Sequence, residues 1–176
     1  LLLPFVDGIL EGRGTQATIV DGGEQGYVLR AYDEFLALRR LAVSKGARKS
    51  RAPDMFNAHI RYGFGLWPDY APPPLESEFQ VSPWHTDEQE LVKNFRTPVG
   101  LEHALYNALT AADSYVWLYV WHPKYWWNPD SRMKEHLHRQ QQRQCALCPH
   151  SVMPQAYLEA IRNCRKPHDL SWKPPA

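Results

Sequence analysis

The sequence predicts an α/β fold: a partial (β/α) barrel with about three parallel strands alternating with helices, plus C-terminal helices. Three observations carry that expectation. Runs with helical and strand periodicity alternate along the chain, the pattern of βαβ units. The strongest strand pattern, Tyr115-Val116-Trp117-Leu118-Tyr119-Val120-Trp121, is apolar on both faces, as in a parallel sheet covered by helices. About three strands cannot close a barrel, and the chain opens directly in an apolar run. Residues 1–128 are therefore expected to be the C-terminal part of a barrel whose N-terminal half lies upstream. Residues 129–176 are expected to be a helical extension with a Pro-rich tail.

Each element has a local cause. Residues 1–11 read as the end of a strand or as a short helix with Leu2, Phe5, Val6, Ile9 and Leu10 on its apolar side, ended by Gly12 and Gly14, since glycine supplies a helix exit. Ala17-Thr18-Ile19-Val20 is a β-branched run stopped by Asp21-Gly22-Gly23, fitting a buried strand that feeds a tight turn. Residues 31–45 form a helix with Phe35, Leu38 and Ala42 on one face, widened by Leu36 and Leu41. A further turn or two covers 53–59, and 60–67 reads as a strand whose two glycines admit a close neighbour or ligand. Residues 70–96 make a long, Pro-rich, acidic connection. Thr97-Pro98 is a helix start, a capping hydroxyl followed by proline, and that helix runs to about 112 with Glu102 and His103 on its surface flank. Polar residues 132–143 and residues 154–165 complete the helices.

Composition narrows the function. A net charge of +1, with a single short basic cluster at 45–51 that reads as a solvated helix end, argues against nucleic acid as a partner. No run reaches the roughly eighteen apolar residues that span a bilayer, so no membrane partner is expected. Cys145, Cys148 and Cys164 are too few, and odd in number, for a disulfide scaffold.

Ligands of parallel α/β folds bind beyond the C-terminal ends of the strands. Here those ends carry Asp21, Glu24, Gln25 and Tyr27, then Trp67, Asp69 and Tyr70, then Trp121, His122, Lys124, Tyr125, Trp126 and Trp127. Aromatic rings cover the C–H face of a sugar, while carboxylates and His bind its hydroxyls, so the expected partner is carbohydrate. Glycoside hydrolysis needs two carboxyl groups about 5 to 9.5 Å apart. Glu24, Asp69 and His122 are the catalytic candidates; Asp21, Tyr27, Trp67, Trp121, Tyr125, Trp126 and Trp127 are the substrate-binding ones. Plainer roles stand beside these. Asp21 before two glycines is a common turn former, Glu24 can simply be solvated, and Trp117 alternates on a buried strand as a core residue would.

No cofactor or metal is expected. Cys145-Ala146-Leu147-Cys148-Pro149-His150 has a zinc-like spacing but no second Cys pair. His59, His85 and His122 with carboxylates offer a metal-dependent hydrolase only by residue type. Gly12-Arg13-Gly14 and Gly22-Gly23 match no phosphate-binding loop.

Leu3-Pro4-Phe5-Val6-Asp7-Gly8-Ile9-Leu10-Glu11, Ile19-Val20-Asp21-Gly22-Gly23-Glu24, and Tyr115-Val116-Trp117-Leu118-Tyr119 followed by Tyr125-Trp126-Trp127 resemble the C-terminal half of bacterial glycoside-hydrolase-like barrel proteins. Residues 154–162 are similar to their terminal helix. The resemblance implies a TIM-type barrel with Glu24 as a site residue at a strand end. Relatives often place an acid just after the final strand, where this chain has Trp121-His122-Pro123. Two functions follow as expectations: a glycoside-hydrolase-like barrel acting on carbohydrate, or a non-catalytic carbohydrate-binding or scaffold protein on a degenerate barrel.

Overall fold

A computed structural model describes residues 3–12, 18–70, 84–120, 153–169 and 171 of the 176-residue chain. They form a mixed α/β structure with short parallel strands in two small sheets. The chain divides into two units, Leu1–Leu66 with Asn107–Trp117, and Trp67–Tyr106 with Leu118–Ala176.

In the first unit, helix α1 (Leu3–Gly12) buries Leu10 and Asp7. The Asp7 carboxylate accepts the Ser50 hydroxyl at 2.5 Å and the Arg51 N–H at 3.1 Å. Those bonds hold its carboxyl below the usual range, the Ser50 hydroxyl foremost. Helix α2 (Tyr32–Lys49) begins after Ala31, which cannot cap it; instead Glu34 reaches back to the N–H groups of Arg30 and Ala31, both at 2.8 Å. Helix α3 (Pro53–His59) has proline at its start, where no N–H is required. The two helices pack through Gly46, because a methyl there would overlap the Phe56 ring.

Strand β1 (Ile19–Asp21) pairs in parallel with β2 (Ile60–Tyr62), aligning Asp21 with Tyr62. Strand β3 (Phe64–Leu66) pairs with β4 (Val116–Leu118). The sequence reads 60–67 as one strand, and the backbone explains the division. On one side Gly63 N–H donates to Asp21 O at 2.8 Å and Gly65 N–H to Gly23 O at 3.3 Å; on the other Phe64 N–H donates to Tyr115 O at 3.2 Å. This stretch is thus flanked by β1 on one side and β4 on the other. Asp113 extends the second pairing: its N–H donates to Tyr62 O at 2.9 Å and its carboxylate accepts Tyr62 N–H at 2.8 Å while bound to Arg39. The core of this unit includes Phe35, Phe64 and Tyr62, whose rings meet edge to face at 5.0 and 5.2 Å.

Three sequence expectations need correction. The first strand is not buried: Val20 is 40% exposed, because β1 pairs only with β2 among the described residues and is an edge. For the same reason Val116, Trp117 and Leu118 are half-buried rather than covered on both faces, and Tyr115 is 57% exposed. Glu102 and His103 are buried, not surface groups.

The second unit shows why. Helix α4 (Pro98–Ala111) is buried from Leu101 through Leu105, a complete turn and more. Its start is as expected, with Thr97 Oγ1 accepting Gly100 N–H at 3.1 Å. Glu102 accepts the His168 backbone N–H at 2.6 Å and faces its imidazole at 3.0 Å. Helix α5 (Gln155–Asn163) buries Tyr157 and Ala160. The Tyr157 hydroxyl donates to Arg96 O at 2.5 Å and accepts Asn94 Nδ2 at 2.9 Å. Asn94 also accepts His85 N–H at 2.7 Å and donates to His85 O at 2.8 Å. The sequence expectation of a helix over 132–143 lies outside the described residues.

Candidate functional site

The first unit carries an open cleft of about 660 Å³ beyond the carboxyl ends of β1 and β2. One wall is the turn after β1, from Asp21 to Gln25; the other is the α2 face of Leu38, Leu41, Ala42 and Lys45, with Tyr62 and Trp117 completing the lining.

Glycine geometry builds the first wall. Gly23 has φ 51° and ψ 57°, a left-handed conformation that costs other residues about 1–2 kcal/mol. A methyl there would also strike the Gly63 carbonyl. The turn is steadied by Asp21, whose carboxylate accepts Gly23 N–H at 3.3 Å. Glu24 then opens a 3₁₀ turn (Glu24–Val28) and projects to solvent. The Trp117 indole N–H donates to Gly22 O at 2.7 Å, fixing the ring against this turn. A methyl on Gly65 would come within 2.8 Å of that indole and 2.6 Å of the Tyr27 ring. Gly65 therefore admits two neighbouring rings and Gly63 the Tyr115 carbonyl, rather than a ligand.

The second wall follows from helical spacing. Leu38, Leu41, Ala42 and Lys45 recur every three or four residues, so they share one face of α2. Leu38, Leu41 and Ala42 were expected in the core; they line the cleft instead, and Leu41 is 48% exposed. Burial pushes the Tyr62 phenol up to about 12, and the Asp21 carboxylate adds to the rise. Its hydroxyl therefore stays protonated at neutral pH. Asp113, beneath the sheet, behaves oppositely: burial pulls its carboxyl up, but the Tyr62 N–H, Arg39 and Arg61 outweigh it and the result is lowered.

Asp21 and Glu24 both line the cleft. Tyr27 stands behind it, packed edge to face on Trp117 at 5.5 Å. Trp67 and Asp69 belong to the second unit. There Trp67 packs edge to face with Tyr70 at 5.3 Å and Tyr119 at 5.0 Å, and Asp69 is fully buried. Trp121, His122, Tyr125, Trp126 and Trp127 lie outside the described residues, as do Cys145, Cys148 and His150. Sequence reasoning left Tyr62, Trp117 and Lys45 out of the site. The signal for Lys45 was present, since it ends the Leu38–Leu41–Ala42 stripe; Tyr62 required the register that sets it beside Asp21.

Among the described residues no group of three or more His, Cys, Asp or Glu could hold a metal ion; His85 instead faces Glu90 at 3.0 Å. Among them, too, no helix is long and apolar enough to cross a membrane. These features define a mixed α/β structure with a polar and aromatic cleft at its strand ends. Compared with family models, with curated proteins and with solved structures, the chain matches none.

Proposed function

We propose that the chain is part of a glycoside-hydrolase-like (β/α) barrel and binds carbohydrate in the cleft at the ends of β1 and β2. One observation carries the reading: an indole, an apolar helix face and the acids Asp21 and Glu24 line a single open cleft. Such a site covers the C–H face of a sugar and bonds its hydroxyl edge. The parallel pairing of β1 and β2, separated in sequence by two helices, supports the partial barrel. Asp69 has no exposed surface with which to reach a sugar, so the acidic pair of this reading is Glu24 and Asp21.

Non-catalytic binding is the second reading, and the exposure of both acids favours it. A glycosidase acid holds its proton at neutral pH because burial raises its pKa. Assay of the full chain against a glycan panel separates the possibilities. Binding with release of reducing ends that Glu24→Gln abolishes supports hydrolysis, whereas binding without turnover supports the second reading. An absence of binding across the panel removes both.

A further inference from the structure

Tyr62 holds a hydroxyl without an assigned task. The residue is 4% exposed, its ring is fixed against Phe64 at 5.2 Å, and it lines the cleft. Its backbone N–H is bound by Asp113, yet among the described residues nothing hydrogen-bonds the hydroxyl. Such a hydroxyl, at the cleft's surface rather than among the buried unpaired atoms, takes its partner from solvent or from a bound group. This one lies beside Asp21 in parallel register, on a wall that opens to solvent, so a ligand can supply that partner.

The charge of the lining narrows the ligand. Among the described lining residues Asp21 and Glu24 are balanced only by Lys45, an excess of one negative charge. A uronic acid would be repelled by that excess, and a neutral sugar would leave it unneutralised. A protonated amine satisfies them, and its ion-paired hydrogen bonds are stronger than neutral ones. Lys45 remains available to donate to a hydroxyl oxygen of the same ring.

We infer that the cleft selects a sugar bearing a free amine, a hexosamine, with its ammonium between Asp21 and Glu24 and a ring hydroxyl bonded to the Tyr62 hydroxyl. The inference rests on the carbohydrate reading above and adds the class of sugar to it.

Isothermal titration of the full chain near pH 6, where the amine is protonated, tests it with three probes: a glucosamine trimer, its N-acetylated counterpart and a galacturonate trimer. The glucosamine trimer should bind about tenfold tighter than the acetylated one, the difference expected of one added ion pair, and the preference should shrink as salt is added. Glu24→Gln should abolish the preference. Tyr62→Phe removes only the hydroxyl and should weaken binding severalfold with the circular dichroism spectrum unchanged. If that variant does not fold, Asp21→Asn provides the same reading through loss of the amine preference. Equal binding of the acetylated and amine trimers overturns the hexosamine inference while leaving the carbohydrate reading standing. Unaltered affinity in a folded Tyr62→Phe overturns the role of the hydroxyl. If none of the three probes nor any member of the glycan panel binds, the carbohydrate reading itself fails.

Discussion

In the first unit Asp21 and Glu24 stand exposed at a cleft, while in the second Asp69, Asn94, Arg96, Glu102 and Tyr157 are all buried. The same kinds of side chain thus serve opposite ends. Where the polar groups face water, the local structure is held by backbone conformation: a left-handed Gly23, a methyl-free Gly65 beneath two rings, and an indole bonded to Gly22 O. Where they are buried, they hold the structure themselves, because a polar atom removed from water is costly unless paired. Exposure at a cleft and burial in a network are therefore the two physical signatures to separate when a carboxylate is nominated for chemistry.

Substitution can break this contrast. The largest expected effect is Asn94→Ala, which removes a side chain bonded to His85 N–H, His85 O and the Tyr157 hydroxyl. Leaving such groups unpaired should cost about 3 kcal/mol, read from urea unfolding. Gly23→Ala comes next, at about 2–3 kcal/mol, from left-handed strain together with collision against Gly63 O. Tyr157→Phe deprives Arg96 O and Asn94 of a partner and should cost about 1–2 kcal/mol. At the bottom of the scale, Glu24→Gln should change stability by no more than about 0.5 kcal/mol. A cost for Glu24→Gln comparable to that of Asn94→Ala would erase the distinction between the two regions.

Alkaline pH sharpens the same comparison, because a tyrosine of each unit is affected. Burial raises Tyr62 and Tyr157 to about 12 from an ordinary 10.0. Between those values the unfolded chain releases protons that the folded chain retains, so stability falls as pH rises from about 10 toward 12. The contribution is fully present below 10. Urea midpoints measured across that range should decline, and Tyr62→Phe and Tyr157→Phe should each flatten part of the decline. A midpoint constant from pH 9 to 12 would show that neither phenol is desolvated as described.

Much of the element order was readable in advance, because helix starts and periodicity are local properties. Thr97-Pro98 marked α4 for reasons contained within a few residues. What escaped was set by distant partners. Glu102 is indistinguishable from a solvated helix acid until His168, 66 residues away, arrives to bind it. Leu38 and Leu41 have the spacing of a core stripe, yet only the position of the turn after β1 decides that they line a cleft. The site was half legible: Asp21 and Glu24 follow from the rule that strand ends carry function, whereas Tyr62 enters only through strand register. The hydrophobic pattern of 115–121 revealed a strand but not its edge position, since coverage depends on neighbours the pattern does not contain.

The bonds from Tyr157 to Arg96 and Asn94 span 61 and 63 residues, and the first unit likewise recruits Asn107–Trp117 from far along the chain. On the ribosome, β3 therefore waits for β4, and the polar core around Asn94 stays open to water until α5 has left the exit tunnel. Closing such wide loops exacts an entropic toll before any contact rewards it. Neither unit can be completed in the order in which its residues are made, so these segments are most exposed to proteases and to aggregation just before α5 appears.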